Sequence, residues 1–330
     1  MDAITLGAVK IFPYGLGLAL SLIGACLFLA HTCRRAELKG GTASWIAVLG
    51  IPLGLLFARL FYCLIRMQWF LRKGLAFFWQ FQKGGFFLYG TLLGVVLAGL
   101  ITARITRQKA MKVLDAMVLP GTLMLSLGYL LMGLAGEGYG WSVSEWFSVD
   151  YPSDMSLFTL SDVSFFSRFP FAIPNYYGEY HWAVFVLETI IAALIGVRLY
   201  KDRSYGEKIR PLLFLCYLAP LEALGAGMRQ DAVLKWGFVK AAEILTVVLM
   251  TGLLVYACIA VRDIGAGRKV LSFVLLVASF GLFMAMEFAL EKKIDFLTFM
   301  KMDMCYVGMI GACLLMVASV RPLLVRKAQT

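Results

Sequence analysis

Charged residues are scarce in this sequence. Asp, Glu, Lys and Arg make up 15% of its 330 residues, whereas hydrophobic residues make up 61% and the mean hydropathy is +0.82. A soluble domain of this size cannot bury so much apolar surface in one core. The composition therefore excludes an ordinary soluble protein and indicates a membrane protein.

Histidine is nearly absent, and the cysteines form no paired motif. The two histidines, His31 and His181, are too few for a His-rich metal site. The seven cysteines include no CxxC pair and lie mostly in apolar runs, which is typical of buried free thiols. We therefore expect neither a metal nor a cofactor.

The net charge of +11 does not indicate nucleic acid as a partner. The basic residues collect in short segments beside apolar runs, where Lys and Arg set membrane topology and contact anionic lipid. The sequence has no polar domain with a basic stripe and interleaved aromatics. The membrane itself is the expected partner.

Nine stretches are long and apolar enough to cross a bilayer, for which a helix needs about 20 residues. The sixth is the weakest, because Pro220, Glu222 and three glycines interrupt it. The sequence thus predicts an all-α polytopic membrane protein with about nine transmembrane helices. The stretches are 11–30, 43–65, 85–103, 113–135, 181–200, 211–228, 241–261, 270–290 and 303–320.

The distribution of basic residues predicts that the N-terminus is outside and the C-terminus inside, because the segments that would then be inside hold more Lys and Arg. Two segments on the predicted outer face are unusual. Residues 66–83 mix aromatic and basic residues, as in an amphipathic arm that lies in the interface. Residues 136–180 carry acids, aromatics and prolines, which indicates a small ordered cap.

Three ionisable residues lie deep in predicted spans: Arg59, Glu188 and Glu222. Such residues are costly in the bilayer and often functional. Arg59 presents five donors that suit a lipid phosphate, and the alternative is a structural ion pair with Glu188 or Glu222. Asp115, Glu243 and Glu287 lie near predicted helix ends, where snorkelling or capping is the simpler interpretation.

Four short patterns follow one another between residues 11 and 140. They are Ile-Phe-Pro-Tyr-Gly-Leu at 11–16, the stretch 51–62 with its Ala-Arg-Leu-Phe-Tyr ending, Lys-Gly-Gly-Phe-Phe-Leu-Tyr-Gly at 83–90, and the Gly-rich stretch 114–140. In order and spacing they resemble the prolipoprotein diacylglyceryl transferase family. Glu188 and Gly-Met-Arg-Gln-Asp at 227–231 extend the resemblance more weakly, to about residue 260.

The resemblance implies transfer of a diacylglyceryl group from phosphatidylglycerol, or a related anionic phospholipid, to the Cys thiol of a lipoprotein precursor. It also implies a multi-pass protein of the bacterial cytoplasmic membrane. The family usually has seven spanning helices. Residues 1–261 are thus expected to form a diacylglyceryl-transferase-like domain, and residues 262–330 a two-helix C-terminal extension.

The resemblance also implies a set of site residues, which we expect to line an outward-opening lipid cavity. Tyr89, Glu137 and Arg59 are the predicted catalytic residues, with His181 as a further candidate. The predicted substrate-binding residues are Tyr14, Tyr129, Glu188, Glu222, Arg229, Gly90, Gly128 and Gly140.

The sequence departs from the family pattern at polar positions. Tyr89 stands where the family has His, Tyr129 and Glu222 stand where it has Arg, and Met132 and Ala135 stand where it has Asn. Two functions are therefore weighed: an active transferase with a rearranged site, and a non-catalytic phospholipid-binding or accessory protein of the same fold. A transporter with acids along a path is a third hypothesis.

Overall fold

The computed structural model describes residues 4–6, 9–11, 13–80, 85–134, 136–144, 166–174, 178–201, 209–230, 234–236, 239–261, 265–291 and 300–329. Most of this part is helical. The helices are α1 (Pro13–Arg35), α2 (Thr42–Ile65), α3 (Met67–Lys73), α4 (Leu75–Phe78), α5 (Leu88–Ile105), α6 (Ala110–Leu134), α7 (Val184–Lys201), α8 (Arg210–Met228), α9 (Ala241–Ala260), α10 (Ala266–Leu290) and α11 (Met302–Gln329).

Within the described residues, three short antiparallel strand pairs accompany the helices. The sequence did not predict these strands. They are β1 (Ile4–Leu6) with β2 (Val9–Ile11), β3 (Ala172–Pro174) with β4 (Tyr180–Trp182), and β5 (Lys235–Trp236) with β6 (Val239–Lys240). Each strand has two or three residues, so the strand pairs shape connections between helices rather than form a sheet core.

Within the described residues, nine helices have at least 18 residues, and eight of them are long and apolar enough to span a membrane. The ninth, α7, carries Glu188, Arg198 and Lys201. Many outward side chains are large and apolar, such as Leu27 and Ile259, which suits lipid contact. The prediction of an all-α polytopic membrane protein is confirmed, whereas the orientation of the N-terminus stays a prediction.

Helix α8 lies at the centre of the packing and contacts α6, α7, α9 and α11. Its residues from Leu218 to Gly227 are all buried by these helices. The stretch that looked weakest as a lipid-exposed span is therefore a continuous helix with Pro220 inside it. Helices α2 and α5 pack backbone to backbone, because Gly90 and Gly94 face the carbonyls of Phe57 and Leu53 with no room for a Cβ.

Helices α5, α7 and α9 begin, and α6, α8 and α10 end, on one side of the bundle, which we call the cap end. Contacts across it define it: the Gln230 backbone N–H donates to the Tyr139 carbonyl at 3.0 Å, and the Gly140 N–H donates to the Trp182 carbonyl at 2.8 Å. The described parts of the predicted cap include β3 and β4, and residues 145–165 lie outside the described residues.

The predicted arm contains α3 and α4, in which no side chain is buried. Its apolar residues Leu71, Leu75 and Trp79 are exposed, as expected for a segment at the bilayer surface. Residues 81–84 of the predicted arm lie outside the described residues.

Asp115 lies near the other end of the bundle, early in α6. Its carboxylate forms an ion pair with Arg210 at the start of α8. The sequence suggested that this carboxylate snorkels or caps a helix. It instead pairs with a cation that α8 supplies.

Candidate functional site

Tyr129 and Glu222 form a buried pair near the cap end. The Tyr129 hydroxyl donates a hydrogen bond to Glu222 Oε1, and both side chains are almost fully buried. Tyr129 lies in α6, little more than a turn before that helix ends, and Glu222 lies in the buried centre of α8. A phenol hydroxyl thus partly compensates a carboxylate that has been removed from water.

Helix α6 ends in a Schellman motif. The Gly136 N–H donates to the Gly133 carbonyl and the Glu137 N–H to the Met132 carbonyl, while Gly136 has a positive φ of 86°. Glycine adopts this conformation without a Cβ penalty, so the sequence terminates the helix here. The motif fixes where Tyr129 lies relative to the cap end.

Glu188 and Arg229 form a second pair beside the first. Arg229 Nη1 lies 3.7 Å from Glu188 Oε1 and 3.6 Å from Met132 Sδ. The carboxylate of Glu188 occupies the space above Gly225, where a Cβ would collide with it. We call Tyr129, Glu188, Glu222 and Arg229 the Tyr129 cluster.

Tyr89 lies in the first turn of α5 and is 7% exposed. Its hydroxyl oxygen is 2.6 Å from Thr246 Oγ1, and Thr246 donates its own proton to the Ala219 carbonyl at 2.8 Å. The Tyr89 hydroxyl must therefore be the donor in its bond with Thr246. It is close enough to the Glu222 carboxylate for an electrostatic interaction, which joins it to the Tyr129 cluster.

Arg59 is fully buried in α2 and holds the arm. Its guanidinium donates to the backbone carbonyls of Phe77, Phe78 and Gly85 at 2.6, 3.1 and 3.1 Å. It also lies over the rings of Tyr62 and Phe77, at 5.1 and 5.3 Å from their centroids. Five donors in a planar fork suit such a set of carbonyls.

These contacts differ from the ion pair with Glu188 or Glu222 that the sequence offered as one role for Arg59. Those carboxylates bind Arg229 and Tyr129 instead. Arg59 therefore connects α2 to the arm through the carbonyls of Phe77 and Phe78. The predicted contact of Arg59 with a lipid phosphate stays a prediction.

The other predicted site residues are dispersed. Glu137 is exposed just beyond α6. Its predicted catalytic role, which stays a prediction, would therefore be that of a carboxylate at the protein surface. Gly140 is buried, and its carbonyl lies 3.0 Å from His181 Nδ1. Gly90 contacts α2, a Cβ on Gly128 would meet nothing within 4 Å, and the side chain of Tyr14 lies outside the described residues.

One charged group was missed by the sequence reasoning. Lys240 precedes α9 and is 4% exposed, although basic residues beside apolar runs were expected to contact anionic lipid. Its Nζ lies 2.7 Å from Glu287 Oε1 and 3.9 Å from Glu291 Oε1, and its backbone N–H donates to Glu243 Oε2 at 3.3 Å. We call Lys240, Glu243, Glu287 and Glu291 the Lys240 cluster.

The signal for this cluster was present but weak. Glu243 three residues after Lys240 is the spacing of a helix-capping carboxylate, and that part of the capping prediction agrees with the geometry. Glu287 does not snorkel, because α10 directs it at Lys240. Burial of a lysine beside a loop has no signature in one sequence.

The acids of the helices do not form a path across the bundle. Glu188, Glu222, Glu243 and Glu287 contact residues of the cap end, and Asp115 near the other end is paired with Arg210. This arrangement gives the transporter hypothesis no support. Among the residues that the structure describes, no group of three or more His, Cys, Asp or Glu is arranged to hold a metal ion.

Comparisons with known proteins agree with the patterns in the sequence. The family model of prolipoprotein diacylglyceryl transferase matches residues 2–259. A protein of Clostridioides difficile named phosphatidylglycerol–prolipoprotein diacylglyceryl transferase is 28% identical over 138 residues, which is 42% of this chain and 55% of that protein. Proteins of the same name from Listeria innocua and Listeria monocytogenes are 24% and 23% identical, over 77% of this chain and 88% of theirs.

Proposed function

Because the chain belongs to the prolipoprotein diacylglyceryl transferase family, we propose that it transfers a diacylglyceryl group from phosphatidylglycerol to the Cys thiol of a lipoprotein precursor. A sulfur–carbon bond forms, the carbon–oxygen bond to the phosphate breaks, and glycerol phosphate leaves. The thiol proton goes to a base or to solvent. The bacterial cytoplasmic membrane is the proposed location, since donor and acceptor are both held there.

The observation that carries the proposal is the convergence of Tyr89, Glu188, Glu222 and Arg229 with Tyr129 at the cap end. Departure of a phosphate requires a cation or donors near the developing charge. The side chain of Arg229 is 14% exposed and its Nη1 lies 3.7 Å from Glu188 Oε1, so a phosphate can reach this cation from the cap end. We assign Arg229 to the phosphate and Arg59 to the position of the arm.

A specific observation favours a second function, binding of phospholipid without transfer. At positions 129 and 222 the resemblance implies two arginines, and here a tyrosine hydroxyl is bonded to a carboxylate. That exchange takes positive charge from a phosphate site and adds negative charge. Tyr89, with its proton bonded to Thr246, is also a weak substitute for a histidine base.

The test uses the purified full-length chain in vesicles that contain labelled phosphatidylglycerol, with a Cys-containing lipoprotein signal peptide as acceptor. A Cys→Ser peptide reports non-enzymatic transfer. We expect transfer by the wild-type chain that is lost in Arg229→Met and kept in Arg104→Met, whose arginine is exposed in the last turn of α5.

Each outcome has a defined meaning. Transfer that depends on Arg229 supports the transferase. Absence of transfer, with labelled phosphatidylglycerol retained through purification, supports the binding protein instead. Equal loss in both variants would contradict the role assigned to Arg229.

A further inference from the structure

The Lys240 cluster lies at the junction between α9, in the part of the chain that the family model matches, and α10, which follows that part. Lys240 and Glu243 belong to the part of the chain that the family model matches, whereas Glu287 lies in α10, beyond that part. The three side chains are 3–4% exposed. A group of charges this deeply buried is stable only if each charge is compensated.

Two carboxyl oxygens of the Lys240 cluster have no hydrogen-bond donor among the described residues. Lys240 serves one oxygen of each carboxyl group, Glu243 Oε2 through its backbone N–H and Glu287 Oε1 through its ammonium group. Glu243 Oε1 and Glu287 Oε2 are buried and accept no hydrogen bond from any described residue. The two carboxyl groups are nevertheless within hydrogen-bonding reach of each other.

Two ionised carboxylates cannot make such a contact, because neither carries a hydrogen and their charges repel. A single added proton removes both difficulties. We propose that Glu243 and Glu287 share one proton, which bonds the two side chains to each other and joins α10 to α9. With it, Lys240 and the two carboxyl groups carry no net charge.

The surroundings favour this neutral state. Beside Glu243 is a small cavity lined by Thr246 and by apolar side chains that include Ala223 of α8, Phe283 of α10 and Met316 of α11. Apolar lining on three helices keeps the local dielectric low. Four helices therefore meet around the shared proton.

Other titratable groups lie around the pair. Glu291 Oε1 lies 3.9 Å from Lys240 Nζ and 3.7 Å from Lys235 Nζ, and the Glu291 side chain is 22% exposed. From α5, Tyr89 reaches the same face of α9 through Thr246. Glu291 is thus the matched control, because it is a carboxylate near the same ammonium group but outside the pair.

The first test is infrared spectroscopy of the purified full-length protein, in which protonated carboxylic acids give a distinct C=O stretching band. We expect Glu243→Gln and Glu287→Gln each to remove the same band at neutral pH, because the proton is shared. The glutamine amide can donate to the remaining carboxylate, so the contact and the fold persist. Glu291→Gln should leave the band unchanged. A band that survives both substitutions in the pair would overturn the proposal.

The second test measures opening of the junction between α9 and α10 by the reactivity of native cysteines. Cys305 and Cys313 are buried in α11, which packs on α10, and buried Cys33 of α1 is a reference far along the chain. Their rates of reaction with a maleimide are measured against pH and corrected for thiolate formation with the unfolded chain.

The sign of the effect follows from proton linkage. Loss of the shared proton leaves two adjacent carboxylates buried beside one ammonium group, so the junction weakens as pH rises. Opening should increase by up to about tenfold per pH unit while one proton is lost. We expect Cys305 and Cys313 to react faster at alkaline pH in the wild type and to stay protected in Glu243→Gln. Equal pH dependence in both proteins would overturn the proposal.

Discussion

The Tyr129 cluster and the Lys240 cluster both bury carboxylates at the cap end, but they compensate them differently. In the first, a phenol hydroxyl serves Glu222 and a guanidinium lies 3.7 Å from Glu188. In the second, an ammonium group lies 2.7 Å from Glu287. The cation of the first is 14% exposed and that of the second 5%.

This difference indicates different uses of buried charge. A partly accessible guanidinium can change partner when a ligand brings an anion. A closely held and enclosed ammonium group cannot, because separating it from its carboxylates leaves charges buried without compensation. The Tyr129 cluster is therefore suited to binding, and the Lys240 cluster to joining helices.

The largest effect on stability is expected when the Lys240 cluster is broken. Lys240→Met leaves the Glu287 carboxylate without its ammonium partner, and the free energy of unfolding should fall by about 3–5 kcal/mol. Thermal and denaturant unfolding in detergent measure it. Lys235→Met is the control, because that ammonium group is 48% exposed and its ion pair contributes about 1 kcal/mol or less. Similar small losses in the two variants would contradict the distinction between the clusters.

The second effect concerns the cation of the Tyr129 cluster. Arg229→Met should cost about 2–3 kcal/mol, less than Lys240→Met, because its contact is longer and more exposed. Adding Glu188→Gln to that variant should restore part of the loss, since the uncompensated carboxylate is removed. A double-mutant cycle of unfolding free energies gives the coupling. Strict additivity would show that the two side chains do not interact.

The third effect tests the space that holds Glu188. Gly225→Ala places a Cβ on the Glu188 carboxylate and should cost about 1–3 kcal/mol by displacing that buried side chain from Arg229. Gly252→Ala is the matched control in α9, where a Cβ meets nothing within 4 Å. It should stabilise the helix by up to about 1 kcal/mol. Equal responses in thermal unfolding would argue against close packing at Gly225.

The smallest effect removes one hydrogen bond. Tyr129→Phe leaves the Glu222 carboxylate without the phenol donor, and the expected cost is about 1–1.5 kcal/mol. Tyr180→Phe, at an exposed position of β4, should change the stability little. If the two variants unfold at the same midpoint, the Tyr129 hydroxyl does not stabilise the buried Glu222 carboxylate.

The sequence predicted the helices well and the site less well. Each apolar stretch became a helix, because spanning length and hydropathy are local properties. The stretch with Pro220 and Glu222 looked weakest, yet α8 is the central helix, since protein rather than lipid surrounds it. Burial by neighbouring helices is not recorded in the hydropathy of a single segment.

Individual site residues show the same division. Arg59 was recognised as exceptional from its depth in a span, and it is fully buried, but its bonds depend on how the carbonyls of residues 77, 78 and 85 lie against α2. Glu137 was selected by its position in a motif, and it is exposed. Lys240 was not singled out by the sequence, and Glu287 of α10 encloses it.

The sequence by itself determined the all-α membrane class, the positions of the long helices and the family resemblance, because these depend on residues close together along the chain. The tertiary structure alone decided which polar groups meet. Tyr129 and Glu222 are 93 residues apart, and Tyr89 and Thr246 are 157 apart. Each buried polar group must find a partner, and the packing of helices from distant parts of the chain decides which partner it finds.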